Sequence, residues 1–296
     1  MANTQNRGIG RLSLLGATLI WGSSFIILKS TLDSVPTLWV LALRFTGAAL
    51  LMALIGIKEL RMLDRQYLLK GLGLGTALFA AYTLQTFGLE YTTPGKNAFL
   101  TATYCVIVPF MWWFFTKKRP DRFNIAAALV CIIGMALVSL DGGLSLGLGD
   151  ALTICCGFFY ALHIILTARA VEGRSPVLLS MVQFAVAAVW CWVTAPIVSP
   201  FPQGVPASAW WSIAYLCFMC TGVCFLLQTI GQKHTPPQTA SIILTLESVF
   251  GTLLSVLFYH ERLSFKTAAG FVLIFVAVLI SETKLSFLKP RSAKRA

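Results

Sequence analysis

Two ionisable residues lie inside long apolar stretches of this 296-residue chain, and they are the first candidates for chemistry. Glu247 stands near the centre of the stretch 236–259. Arg44 is seven residues into 37–57, about 10 Å from its outer boundary at about 1.5 Å per residue. Charge at such depth in a bilayer is costly and marks a functional candidate. Desolvation disfavours the charged form of a carboxylate, so Glu247 suits a proton carrier or the counter-charge of a substrate amine. The structural alternative is an ion pair with Arg44, or a hydrogen bond to a neighbouring helix. Arg44 reads first as half of a gating or structural ion pair. His163 is a candidate proton relay, because imidazole titrates near neutrality; a hydrogen-bonded structural histidine is the alternative.

Helical spacing gathers further candidates. Asn97, Thr101 and Tyr104 recur at i, i+4 and i+7, as Tyr160, His163 and Thr167 do at i, i+3 and i+7. Trp21 shares a face with Ser24, Tyr82 lies beside Gln85, and Gln228 occupies the matching place later in the chain. With Thr245 and Glu247, these residues other than Thr167 form the expected substrate-binding set. Aromatic rings with a few amides and hydroxyls suit a small, partly apolar solute and can hold a cationic amine face-on. The same residue types also bond helix to helix, which is the structural reading of Gln85, Gln228, Asn97 and Thr101. The stripe Ser241, Thr245, Ser248, Thr252 and Ser255 favours close packing.

No catalytic residues, metal or cofactor are expected. Cys217, Cys220 and Cys224 have helical spacing without a His or carboxylate beside them, and buried cysteine packs well as a small apolar residue. Gly71, Gly73 and Gly75 follow no strand, so they are no nucleotide loop. His-Glu-x-x-His does not occur, because Ser264 stands where His260-Glu261 would need the second histidine, which argues against a metal-dependent enzyme.

The elements that must position these residues are membrane helices. The chain is 57% apolar and 11% charged, against about 25% charged in soluble domains. This excludes a soluble enzyme, a nucleic-acid-binding domain and a disordered regulator. Ten stretches are long and apolar enough to span a bilayer: 11–32, 37–57, 67–89, 94–116, 122–140, 148–170, 176–198, 208–231, 236–259 and 264–283. They do not alternate as barrel strands would. Pro109 is expected to kink the fourth. With the N-terminus inside, 18 of the 23 Lys and Arg fall on the cytoplasmic side, as the positive-inside bias requires. Lys29, Lys96, Arg262 and Lys266 fall outside. The net charge of +12 is therefore mostly topology, and both termini are expected in the cytoplasm of a multi-pass inner-membrane protein. The first stretch lacks the cleavage site of a signal peptide. The basic tail 285–296 is expected as a cytoplasmic anchor, near enough to touch anionic lipid.

Self-comparison carries the strongest functional argument. Leu84-Gln85-Thr86-Phe87-Gly88 matches Leu227-Gln228-Thr229-Ile230-Gly231 at an offset of 143, which also pairs Pro94 with Pro237 and Tyr104 with Glu247. Trp21 pairs with Tyr160, and Arg44-Phe45 with Gln183-Phe184, at an offset of 139. The chain thus divides into five-helix halves at 1–141 and 142–284. Because five is odd, the halves must be inverted, an architecture of many secondary transporters.

The pattern resembles the EamA family of the drug/metabolite transporter superfamily over nearly the whole chain. The matching segments are Leu19-Ile20-Trp21-Gly22-Ser23-Ser24-Phe25, Leu43-Arg44-Phe45, the run from Tyr91 to Leu100, and Phe258-Tyr259-His260-Glu261-Arg262-Leu263. The resemblance implies ten helices, two inverted repeats, and a central cavity that moves amino-acid-like or other small metabolites, often outward. One departure is Lys118, which stands where the family commonly places a glutamate after the fourth helix.

The expected function is a secondary active transporter of an amino-acid-like solute or amphipathic amine, working by alternating access. Its expected partners are that solute, membrane lipid and protons as coupling ion, with no nucleic acid. The competing readings are an intramembrane enzyme and a channel. No Walker A motif is present, so the driving force is expected to be a gradient.

Overall fold

The computed structural model describes residues 4–139, 147–260 and 264–283, and every regular element among them is helical. The first half runs α1 (Thr4–Leu32), α2 (Thr37–Ile55), α3 (Arg65–Glu90), α4 (Pro94–Thr101), α5 (Tyr104–Thr116) and α6 (Arg122–Ser139). The second runs α7 (Leu148–Ala170), α8 (Pro176–Val198), α9 (Ala207–Tyr215), α10 (Cys224–His234), α11 (Pro237–Leu244), α12 (Leu246–Tyr259) and α13 (Phe265–Thr283). A π-helical segment, Leu216–Val223, fuses α9 to α10. Counting the joined pieces α4–α5, α9–α10 and α11–α12 once each gives ten spans. Eight are long and apolar enough to cross a bilayer, and α6 and α13 supply two shorter apolar helices. The fold is an all-helical membrane protein of two inverted five-helix repeats. The tail 285–296 and residues 140–146 and 261–263 lie outside the described residues.

Helix starts follow local chemistry. Asp64 caps α3 by accepting from the Tyr67 backbone N–H at 2.8 Å, and Ser175 caps α8 by accepting from that of Leu178. Proline opens α4, α8 and α11, where its missing N–H costs nothing.

The fourth span differs from expectation. It breaks at Ala102–Thr103, well before Pro109, and helix α5 runs on through Pro109. The ninth span breaks at the equivalent point, Thr245, with no proline near it. Freed backbone groups find partners locally. Ala102 and Thr103 N–H donate to the carbonyls of Phe99 and Leu100 at 3.1 and 3.2 Å, and the Thr245 and Ser248 hydroxyls donate to the carbonyls of Ile242 and Thr245. Hydroxyl side chains and tightened turns make such breaks tolerable in lipid. Both spans also end on left-handed, non-glycine residues at matching positions, Lys117 (φ 59°) and His260 (φ 52°).

Packing repeats the duplication. Helix α3 packs on α7 as α10 packs on α1, while α2 meets its counterpart α8 and α6 meets α13. Gly88 allows the α3–α7 crossing, since a Cβ there would stand 2.9 Å from the Gly149 carbonyl oxygen. The matching crossing of α10 on α1 puts Gly231 2.9 Å from the Gly10 carbonyl oxygen by the same measure. Small residues at both places let backbones approach.

Candidate functional site

Where a residue touches its own repeat counterpart, both must lie near the pseudo-two-fold axis, because symmetry holds them equally far from it. Three such pairs mark the axis among the described residues. Phe45 stacks on Phe184 at 6.4 Å between ring centroids, and Tyr82 meets Phe225 at 5.9 Å. Tyr104 OH donates to Glu247 Oε1 at 3.2 Å. The ring pairs Trp21–Phe225 and Tyr160–Tyr82 are images of each other, edge-on at 4.9 and 5.7 Å. The axis therefore passes through a cluster of aromatic rings with Glu247 among them.

A cavity of about 30 Å³ opens at this cluster, room for a water or two. The expected residues Trp21, Ser24, Tyr82, Gln85, Tyr104, Tyr160, Gln228 and Glu247 line it together with Arg44. Glu247 is the only carboxylate among its described lining residues. Phe25, Leu28, Ile164, Phe225 and Leu244 complete the wall; Phe25 and Leu28 were not expected there, although they stand four and seven residues after Trp21, a spacing that could have found them.

Arg44 is 1% exposed and requires a correction. It forms no ion pair with Glu247 or with any other described carboxylate. Its Nε donates to Thr221 Oγ1, its Nη2 donates to Tyr82 OH at 3.3 Å, and the guanidinium lies 4.6 Å from the Tyr82 ring centroid. Thr221 reaches it because the π-helical turn lets its hydroxyl donate to the Leu216 carbonyl five residues back, at 2.8 Å. Hydroxyls and a ring face thus take the place of the expected counter-charge.

Four other expected residues stand behind the wall. Thr101 Oγ1 accepts from Gln85 Nε2 at 3.0 Å and donates to the Asn97 carbonyl at 2.8 Å. Asn97 Nδ2 donates to the Gln85 carbonyl at 3.1 Å and to Thr153 Oγ1 at 2.7 Å. Tyr160 OH closes the network by donating to Gln85 Oε1 at 2.7 Å. His163 shares a hydrogen bond with Gln183 Oε1 at 2.7 Å and packs edge-on to Phe225, which separates it from the cavity. Thr245 lines a separate small void with Cys105 and Cys131.

Charges hold the two ends of α3. At its C-terminal end Lys29 Nζ donates to the carbonyls of Leu89, Glu90 and Thr92 at 2.6, 3.1 and 3.2 Å, and Lys96 pairs with Asp150 at 2.6 Å. At its N-terminal end Arg174 pairs with Asp64 at 3.2 Å. The Tyr67 N–H, with Arg174 beside it, holds the Asp64 carboxyl below its ordinary value.

Ten helices in two inverted halves about a cavity of aromatic rings and a few polar groups define an integral membrane protein of the transporter class. The chain belongs to the EamA-like transporter family, whose profile matches residues 8–140 and again 147–283. It is similar to an uncharacterized transporter of Archaeoglobus fulgidus, 30% identical over 91% of this chain and 84% of that one. It is also similar to the uncharacterized transporter YyaM of Bacillus subtilis, 24% identical over 82% and 84%. A solved crystal structure shares the fold with a TM-score of 0.76 at 18% identity, covering 95% of this chain and 98% of the other.

Proposed function

We propose that this membrane transporter is a secondary carrier of an amino-acid-like solute or amphipathic amine, working by alternating access of the axial cavity. The direction proposed is export across the cytoplasmic membrane, coupled to protons through Glu247. Both termini then lie in the cytoplasm, and the repeats divide at 141/142. The observation that carries this reading is the hydrogen bond between Tyr104 and Glu247, repeat counterparts that meet on the axis. A group there is equivalent with respect to both halves, so it can serve a solute arriving from either face. Glu247 offers an acceptor for an ammonium, the rings of Trp21, Tyr82, Tyr104 and Tyr160 offer faces to the same cation, and Arg44 supplies a positive group beside them. Ser24, Gln85 and Gln228 complete the contacts. Asn97 and Thr101 position Gln85, while His163 bonds α7 to α8 and Thr245 bonds back to Ile242 in its own span, rather than touching the solute or relaying protons.

The test is flux into proteoliposomes with a panel of amino acids and amines. Wild-type protein is expected to move at least one solute saturably, with a rate that follows an imposed proton gradient. Glu247→Gln is expected to abolish the response to that gradient. Equal flux and equal pH dependence in the variant would end the proton-coupling assignment, and conversion of the solute to a product would favour an enzyme.

A further inference from the structure

We infer that Gln228 is the hydrogen-bonding subsite of the cavity, and that it reads a solute presenting a donor and an acceptor side by side, as a carboxamide or a protonated carboxyl does. The inference rests on the proposed function only in placing the solute in this cavity.

The argument comes from comparing Gln228 with its own counterpart. Gln85 and Gln228 occupy the same position in the two halves, both line the cavity, and they are 7% and 3% exposed. Their surroundings differ. The Gln85 carboxamide is committed at both ends, donating to Thr101 and accepting from Tyr160. The repeat offsets of 143 and 139 place Leu244 where Thr101 would serve Gln228, and Trp21 where Tyr160 would. Leucine has no polar atom. The Trp21 indole N–H is turned away, donating to the Cys220 carbonyl at 2.7 Å. Both partners that the first half supplies are therefore missing from the second. Accordingly the Gln228 carboxamide makes no hydrogen bond among the described residues, and its Oε1 is buried without a partner.

A buried amide left in this condition costs free energy, so its retention at the wall of a cavity needs a compensating partner. A carboxamide carries an acceptor and donors on one planar edge. Its best complement is another planar group with the same pair, which closes two hydrogen bonds at once. Sites of this kind reject an analogue that lacks the pair, because the protein's own polar group then stays unmet. The sense of the amide is immaterial, since neither end has a partner.

Thermal unfolding of the purified full-length protein tests this without any flux measurement. The probes are paired carboxamides led by leucinamide, each set against its N,N-dimethylamide, which keeps the acceptor and loses the donor. Wild-type protein is expected to be stabilised by the member with adjacent donor and acceptor, with at least about a 10-fold preference in apparent affinity over its blocked analogue. Gln228→Leu is expected to raise the solute-free midpoint and erase the preference, whereas Gln85→Leu lowers the midpoint. Gln228→Met, closer in shape, repeats the comparison if leucine disturbs packing. The inference is overturned if Gln228→Leu and Gln228→Met lower the midpoint as Gln85→Leu does, or keep the wild-type preference. It is overturned equally if no unblocked probe stabilises the wild type more than its blocked analogue. A protein that binds these probes but moves none of them would refute the transport reading and leave this one standing.

Discussion

Glu247 and Tyr104 came from one ancestral position and now form an acceptor and a donor facing each other across the axis. Duplication alone would give two like groups there; the divergence into a carboxylate and a phenol makes the site chemically one-sided. The same divergence separates Gln85, held by Thr101 and Tyr160, from Gln228, held by neither. A prediction follows at this scale. Tyr160→Phe removes the donor to Gln85 Oε1, and leaving a buried acceptor unmet costs about 1–3 kcal/mol. The thermal midpoint of the variant should fall, and an unchanged midpoint would show that Gln85 is held by other means. Most of the site was legible because polar and aromatic residues at helical spacing are rare in apolar spans. His163 and Asn97 stand behind the cavity wall for a physical reason: spacing defines a helix face but not which neighbour covers it. Phe225 covers His163, and the Gln85 backbone carbonyl takes up the Asn97 amide.

At the scale of elements, the paired breaks in the fourth and ninth spans were invisible in sequence. Neither contains glycine or proline, and the visible proline, Pro109, lies inside an unbroken helix. The breaks fall instead at Ala102–Thr103 and Thr245, where the backbone makes tighter turns. Pro109→Ala should therefore leave the break and the solute-free thermal midpoint nearly unchanged, whereas a drop comparable to that of Tyr160→Phe would restore Pro109 as the cause. The glycine crossings make a symmetric prediction. Gly88→Ala and Gly231→Ala each push a methyl group into a facing backbone, and overpacking of this kind costs about 1–3 kcal/mol. Both midpoints should fall by similar amounts; a fall in only one would mean that the two crossings are not equivalent. The cap of α3 responds to acid. The folded-state value of Asp64 is depressed, so its contribution is present above the unfolded carboxylate value and is lost as pH falls through the folded one. Asp64→Asn, which can still cap, should show a shallower loss of midpoint below about pH 4 than the wild type. An identical acid profile would remove Asp64 from the account.

The whole molecule is more symmetric than its sequence. Only short segments betray the duplication, yet ring pairs, glycine crossings and left-handed helix ends recur in both halves. The number of spans and the inverted relation could be read from apolar runs and from the odd count of five. The position of the axis could not, because it depends on which residues meet their own images. The axial cavity is about 30 Å³ in the conformation described here, and the alternating access we propose would have the halves separate on one face and then the other. The most direct measurement is the accessibility of a single cysteine, Ser24→Cys, in a background whose reactive native cysteines are replaced. A membrane-impermeant thiol reagent is applied from each face of oriented vesicles, with and without a transported solute. Alternating access predicts labelling from both faces and protection by the solute on both. Labelling confined to one face, whatever solute is present, would contradict it.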